Sequence, residues 1–183
     1  MGTRNDTATL KNPYQLSQIT TPDKRINFEL PNSDGQTISL NDDHYEGKGK
    51  LITLMGTWCP NCLDESKFLL EYFRKNPSED VEIIALAFER YRDADKAFDI
   101  IRNYKEKLDI PYEILLAGYY DKEEATEKLG FIDEIKSYPT LLFVNDENKV
   151  LKVHTGFSGP ATSKYQEFKN SFESDLRLIL PSK

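Results

Sequence analysis

Two cysteines, Cys59 and Cys62, are the only thiols in the 183 residues, and they stand two residues apart in Trp58-Cys59-Pro60-Asn61-Cys62. Thiols at that spacing can close a disulfide ring without disturbing the backbone around them, so the pair suits reversible dithiol–disulfide exchange. Thiolate is the reactive form, and an ordinary cysteine with a pKa of about 8.5 is little ionised at neutral pH. A helix beginning at the motif would change that. Its first turn presents unpaired backbone N–H groups and roughly half a positive charge. Pro60 suits the first helical position, where its missing N–H would be unpaired anyway. Cys59 is therefore expected to ionise near pH 7 (about 7 or below) and to attack a substrate disulfide. Cys62, one turn further in, is expected to be less exposed, nearer a normal pKa, and to resolve the mixed disulfide. A structural disulfide and half of a zinc site are the competing readings. Tetrahedral zinc takes four ligands, and His44 and His154 are not in ligand spacing. No metal and no cofactor are expected.

The elements that would position these residues read clearly. Leu51–Met55 is an apolar run, hence a buried strand leading into the motif. The pattern from Cys62 to Phe73 is amphipathic, with Leu69 and Leu70 apolar and Ser66 filling a small position, and it stops at Asn76-Pro77. Upstream, Ile26, Phe28 and Leu30 alternate, Asn32-Ser33-Asp34-Gly35 makes a turn, and Ile38 and Leu40 resume, which predicts a β-hairpin. Residues 41–50 read as a polar loop and residues 1–25 as a flexible arm. Downstream come a strand at Val81–Phe88, a helix at Asp93–Leu108, a short strand at Tyr112–Leu116, a helix at Lys122–Leu129 stopped by Gly130, a hairpin of Thr140–Val144 and Val150–Thr155, and a helix from Ala161 to Leu180. Alternating strands and helices closed by a hairpin and a helix define an α/β fold with a mixed central sheet flanked by helices. One domain, residues 26–183, is expected after the arm.

Composition narrows the function classes. Hydrophobic residues at 38% and charged residues at 30% suit a globular protein, and a net charge of −7 argues against nucleic acid as a partner. No stretch approaches the apolar length of a membrane span. The opening Met1-Gly2-Thr3-Arg4-Asn5-Asp6 is polar and shows no signal peptide, so membrane attachment is expected only through an anchor outside this sequence.

From Ile26 to Leu180 the chain resembles the thioredoxin superfamily, and most of all its bacterial TlpA/ResA-like disulfide reductases. The segment from Gly56 to Glu65 matches that branch's G-T-W-C-x-x-C-x-x-E pattern. Ser137-Tyr138-Pro139-Thr140 matches the superfamily's active-site proline followed by a strand. The N-terminal hairpin and an insertion of roughly residues 105–130, before that proline, also resemble the branch. The resemblance implies a cis Tyr138–Pro139 bond beside the cysteine sulfurs, with Tyr138 offering its backbone to a bound peptide and Trp58 shielding the site. It implies a thiol–disulfide oxidoreductase of the bacterial periplasm or cell envelope, acting on protein disulfides and recharged by an unidentified electron donor. Thioredoxin keeps a buried aspartate in the strand before the motif. Thr53 stands there instead and cannot take a proton. Glu65, at i+3 from Cys62, is the replacement the branch suggests, with Glu89 as second candidate and Asp64 facing solvent. The uncharged Asn61 points to a reductant. A peroxidase of this fold would need a threonine at Gly56, and a copper-delivery protein of the Sco type one more residue between the cysteines. A non-catalytic binding module of a larger envelope protein is the remaining rival. Tyr119 and Tyr120 are expected as a packed aromatic pair in an insertion loop.

Overall fold

The structure is a computed structural model that describes residues 16–78 and 80–181. Strands β1 (Glu29–Pro31) and β2 (Thr37–Ser39) form the expected antiparallel hairpin. Asn32 makes the turn, its Oδ1 accepting from the N–H groups of Asp34 at 3.0 Å and Gln36 at 2.9 Å. Then follow β3 (Gly49–Met55), α1 (Pro60–Lys75), β4 (Val81–Glu89), α2 (Ala94–Leu108), β5 (Glu113–Tyr119), α3 (Lys122–Leu129), β6 (Thr140–Val144), β7 (Val150–Thr155) and α4 (Ser163–Ile179).

Strands β3 to β7 form one mixed sheet in the order β5-β4-β3-β6-β7. The first three are parallel, and β6 and β7 run antiparallel beside them. Every residue of β3 is buried, as expected of a central parallel strand covered on both faces. Its C-terminal end therefore delivers the cysteine motif from the rigid middle of the molecule. Asn32 bridges to Leu115, so the hairpin covers the edge left open at β5.

Helix α1 starts where expected because three local signals agree. Cys59 is its N-cap, Pro60 follows, and the helix turns an apolar stripe inward. That stripe is anchored by Phe68, whose ring lies 5.1 Å from Phe168 and 5.0 Å from Phe172, both on α4. On its other flank α1 meets α2, where the Tyr104 hydroxyl donates to Ser66 Oγ at 3.1 Å. Asp93 caps α2 and Asp121 caps α3, each accepting two backbone N–H groups. Gly130 ends α3 in the left-handed conformation, at φ 69°.

Three expectations need correction. Residues 41–50 are not simply a loop: Asp43–Tyr45 form a 3-10 turn, and Gly49 and Lys50 already belong to β3. Lys50 is only 1% exposed. Its ammonium donates to Asn148 Oδ1 at 2.7 Å and faces the carbonyls of Asp146 and Asn145, which is how a charged residue enters a buried strand. Strand β5 runs on to Tyr119, so Tyr119 ends a strand and is not in a loop. Finally, the part of the 1–25 arm within the described residues is not loose. Ile19 bridges to Ile132, the Thr20 N–H donates to Phe131 O at 3.0 Å, and the buried Ser17 accepts the Lys136 N–H at 3.1 Å. Residues 1–15 of that expectation lie outside the described residues.

Candidate active site

The motif occupies the step from the end of β3 to the first turn of α1. Cys59 is buried at 7% exposure and Cys62 at 1%, and the two thiols are unbridged. Cys59 Sγ accepts the Cys62 N–H at 3.3 Å, so this sulfur is itself the helix cap. Its pKa is lowered to about 7, first by a hydrogen bond from the Cys62 thiol and then by the backbone N–H groups of Cys62 and Asn61. The helix terminus was the expected cause; the neighbouring thiol is the larger one. Cys62 moves the other way. Burial raises its pKa, and so does giving its proton to Cys59. The expectation of a near-normal Cys62 is corrected: its site holds the thiol protonated. Pro60 and Asn61 are exposed beside the sulfurs.

The Tyr138–Pro139 bond is cis, as the resemblance implied. The Cys59 thiol donates to Tyr138 O at 3.6 Å, so the loop before β6 reaches Cys59 through its backbone. Two bonds fix that loop. Thr140 Oγ1 donates to Ser137 O at 2.8 Å, and the Gly156 N–H donates to Pro139 O at 2.8 Å.

Glu65 is 1% exposed, one helical turn beyond Cys62. The Thr53 hydroxyl donates to its Oε2 at 2.6 Å, and its Oε1 is buried without a partner among the described residues. Burial pushes its pKa up to about 8, against the Thr53 bond that lowers it. Thr53, dismissed as a proton acceptor, is thus the group that orients the Glu65 carboxyl. Glu89, the second candidate, is also 1% exposed. Both its oxygens accept from Thr57, Oε1 from the backbone N–H and Oε2 from the hydroxyl, each at 2.9 Å. It clamps the loop that carries the motif. Asp64 is half-buried, with Oδ2 facing Gly159.

Trp58 folds back over the end of β4, its indole N–H donating to Phe88 O at 2.9 Å. Gly56 makes this pose available: a Cβ there would fall 2.3 Å from the indole nitrogen. The ring meets Tyr138 and Tyr120 edge-on, and Tyr119 in turn meets Tyr120 edge-on. Arg90 lies over Trp58 at 4.4 Å from its centroid. Sequence reasoning passed over Arg90 and Thr57. The place of Arg90 just after a buried strand's end was the available signal. The histidines take no part. His44 pairs with Glu82 at 3.2 Å, and His154 lies against Phe168.

A parallel-centred mixed sheet, a C-x-x-C at a helix start and a facing cis-proline loop define a thioredoxin-like protein. A profile of the AhpC/TSA family matches residues 22–153, and the chain belongs to that family. It is 28% identical over 160 residues to the thiol-disulfide oxidoreductase ResA of Bacillus thuringiensis subsp. konkukian, covering 85% of this chain and 76% of that protein. It is 26% identical over 130 residues to ResA of Bacillus subtilis, covering 71% and 64%. Among solved structures, a thioredoxin-family thiol:disulfide interchange protein from Chlorobium tepidum TLS aligns with a TM-score of 0.62 at 19% identity, over 86% of this chain and 96% of that one. StoA from Bacillus subtilis aligns at 0.54 and 17%, over 81% and 98%.

Proposed function

We propose that this chain is a thiol–disulfide oxidoreductase that reduces protein disulfides through Cys59 and Cys62. The observation that carries the reading is the opposed ionisation of the two thiols, Cys59 lowered to about 7 and Cys62 raised in its buried seat. The Cys59 thiolate attacks one sulfur of the substrate disulfide. That S–S bond breaks, the leaving sulfur takes a proton, and a mixed disulfide remains. Cys62 then gives its proton to the Glu65 carboxylate and attacks Cys59 Sγ. The second substrate sulfur leaves as a thiol, and two electrons and two protons have passed from the protein to its substrate. Ionisation of Cys59 frees the Tyr138 carbonyl from the thiol, and a peptide N–H lying across the Tyr138–Pro139 loop would replace it. Trp58, Pro60 and Asn61 form the rim against which that peptide would lie.

The AhpC/TSA name raises a peroxidase reading, and Gly56 weighs against it. The threonine a peroxidase would carry there collides with Trp58. The relatives' name, thiol-disulfide oxidoreductase, supports the exchange chemistry. A reductant of the cell envelope, recharged by a separate electron donor, belongs to this reading. No described helix is long and apolar enough to cross a membrane. The residue-26 domain boundary belongs to this reading too, with residues 16–25 as a strap on the domain. The test is trapping. Cys62→Ser should accumulate mixed disulfides with substrate proteins and Cys59→Ser should not. Equal trapping by both variants would overturn the assignment.

A further inference from the structure

We propose that Arg90 is a specificity residue: it recognises an acidic side chain flanking the reactive disulfide of a protein substrate. The inference rests on the oxidoreductase reading above and adds the chemistry of the preferred partner. Two arginines stack on the aromatic patch beside the motif, and they differ in one respect. Arg92 lies 3.9 Å over Tyr119, but its charge is met by Glu124, which accepts at 3.3 and 2.9 Å. Arg90 lies over both Trp58, at 4.4 Å, and Tyr120, at 5.6 Å. It is exposed, and among the described residues it has neither a carboxylate in ion-pair range nor an acceptor for its N–H groups. Glu89, next to it in sequence, is turned inward onto Thr57.

The guanidinium is therefore held over aromatic rings while its N–H donors have no acceptor among the described residues. Contact with the rings places the cation and leaves those donors, which form a fork suited to a carboxylate. The ring beneath it is itself fixed, by the bond to Phe88 O and by the space Gly56 leaves. Trp58 adjoins the nucleophile in sequence, so the free charge stands beside the place where a substrate disulfide must lie. In a chain of net charge −7, an uncompensated cation at this point is the local exception that an acidic partner fits.

The test uses the reduced 183-residue chain at pH 7 and low ionic strength. Two synthetic disulfide peptides are compared, identical except that Asp-Glu or Lys-Lys flanks one half-cystine, with uncharged bis(2-hydroxyethyl) disulfide as control. Loss of peptide disulfide is followed by chromatography in wild type, Arg90→Gln and Arg90→Glu. The net negative charge acts on both peptides in every variant, so the informative quantity is the acidic-to-basic rate ratio. It should fall about three- to fivefold in Arg90→Gln, as an exposed ion pair allows, and further in Arg90→Glu. The rate with the neutral disulfide should hold. Added salt should shrink the wild-type ratio toward that of Arg90→Gln. An unchanged ratio in Arg90→Glu overturns the proposal. So does an equal loss with all three disulfides, which would make Arg90 a support for Trp58 only. A wild-type protein inert toward the neutral disulfide overturns the oxidoreductase reading, and this inference with it.

Discussion

Glu65 and Glu89 are two buried carboxylates with opposite fates. Glu89 spends both oxygens on Thr57, whereas Glu65 keeps Oε1 open in the interior. With a pKa of about 8, Glu65 is roughly one-tenth ionised at pH 7 and can both take and release a proton near neutrality. The exchange rate should therefore rise in two steps, one near pH 7 as Cys59 ionises and one near pH 8 as Glu65 does. Glu65→Gln should remove the upper step and slow insulin reduction about ten- to a hundredfold at the optimum; superimposable profiles would assign the proton elsewhere. The same carboxyl governs stability. The folded protein keeps its proton up to about pH 8, while the unfolded chain releases it near 4.5. Between those values the folded state binds more protons, so its stability falls as pH rises. At about 1.4 kcal/mol per unit, urea unfolding of the reduced protein should show Glu65→Gln losing several kcal/mol less than wild type between pH 5 and 9. Alkylation gives a third check: at pH 7 iodoacetamide should modify Cys59 well ahead of Cys62, in line with their opposed shifts.

At the level of elements, the site depends on how α1 is seated. Phe68 joins it to α4 through Phe168 and Phe172. Phe68→Ala should lower unfolding free energy by about 3–5 kcal/mol, read from denaturant midpoints. Gly49 sets a second contact. A Cβ there would lie 2.4 Å from Ile179 O, a backbone atom of α4 that cannot swing away. Gly49→Ala should cost about 1–3 kcal/mol although the residue is far from the cysteines in the sheet. The strands β3, β4 and β6 were legible as apolar runs because burial on both faces leaves no alternation to misread. The helices were legible to within a residue or two where a capping side chain or Gly130 marks the end. The start of β3 was not. A lysine reads as solvent unless its partners are known, and those of Lys50 lie nearly a hundred residues onward at the β6–β7 turn. Arg90 was missed for the same reason, its partner ring being 32 residues earlier on another strand's end.

For the molecule as a whole, the strap at residues 16–25 matters to the site. Ser17 and Ile19 hold the segment 131–136, which runs directly into Tyr138 and Pro139. No periodicity announces such a strap, because two isolated bridges and a few hydrogen bonds leave no pattern in sequence. A chain begun at Ile26 should retain the fold but melt several degrees lower, on the order of 1–2 kcal/mol for the lost bonds. Its insulin reduction should fall more than its reaction with a small disulfide, since the loop that receives a peptide loses support. Equal melting temperatures for the two chains would show the strap to be idle.

The chain contains one tryptophan, and it is the residue before Cys59. Its indole is immobilised against Phe88 O, roofed by a guanidinium and carried by the residue that adjoins Cys59. All intrinsic indole emission of this protein therefore originates within the site. Closing the Cys59–Cys62 bond puts a disulfide, an efficient quencher, beside that emitter, and an acid side chain drawn to Arg90 alters its roof. The unlabelled protein is in effect its own fluorimetric probe, in which redox state and partner arrival can be followed in real time without attaching a dye.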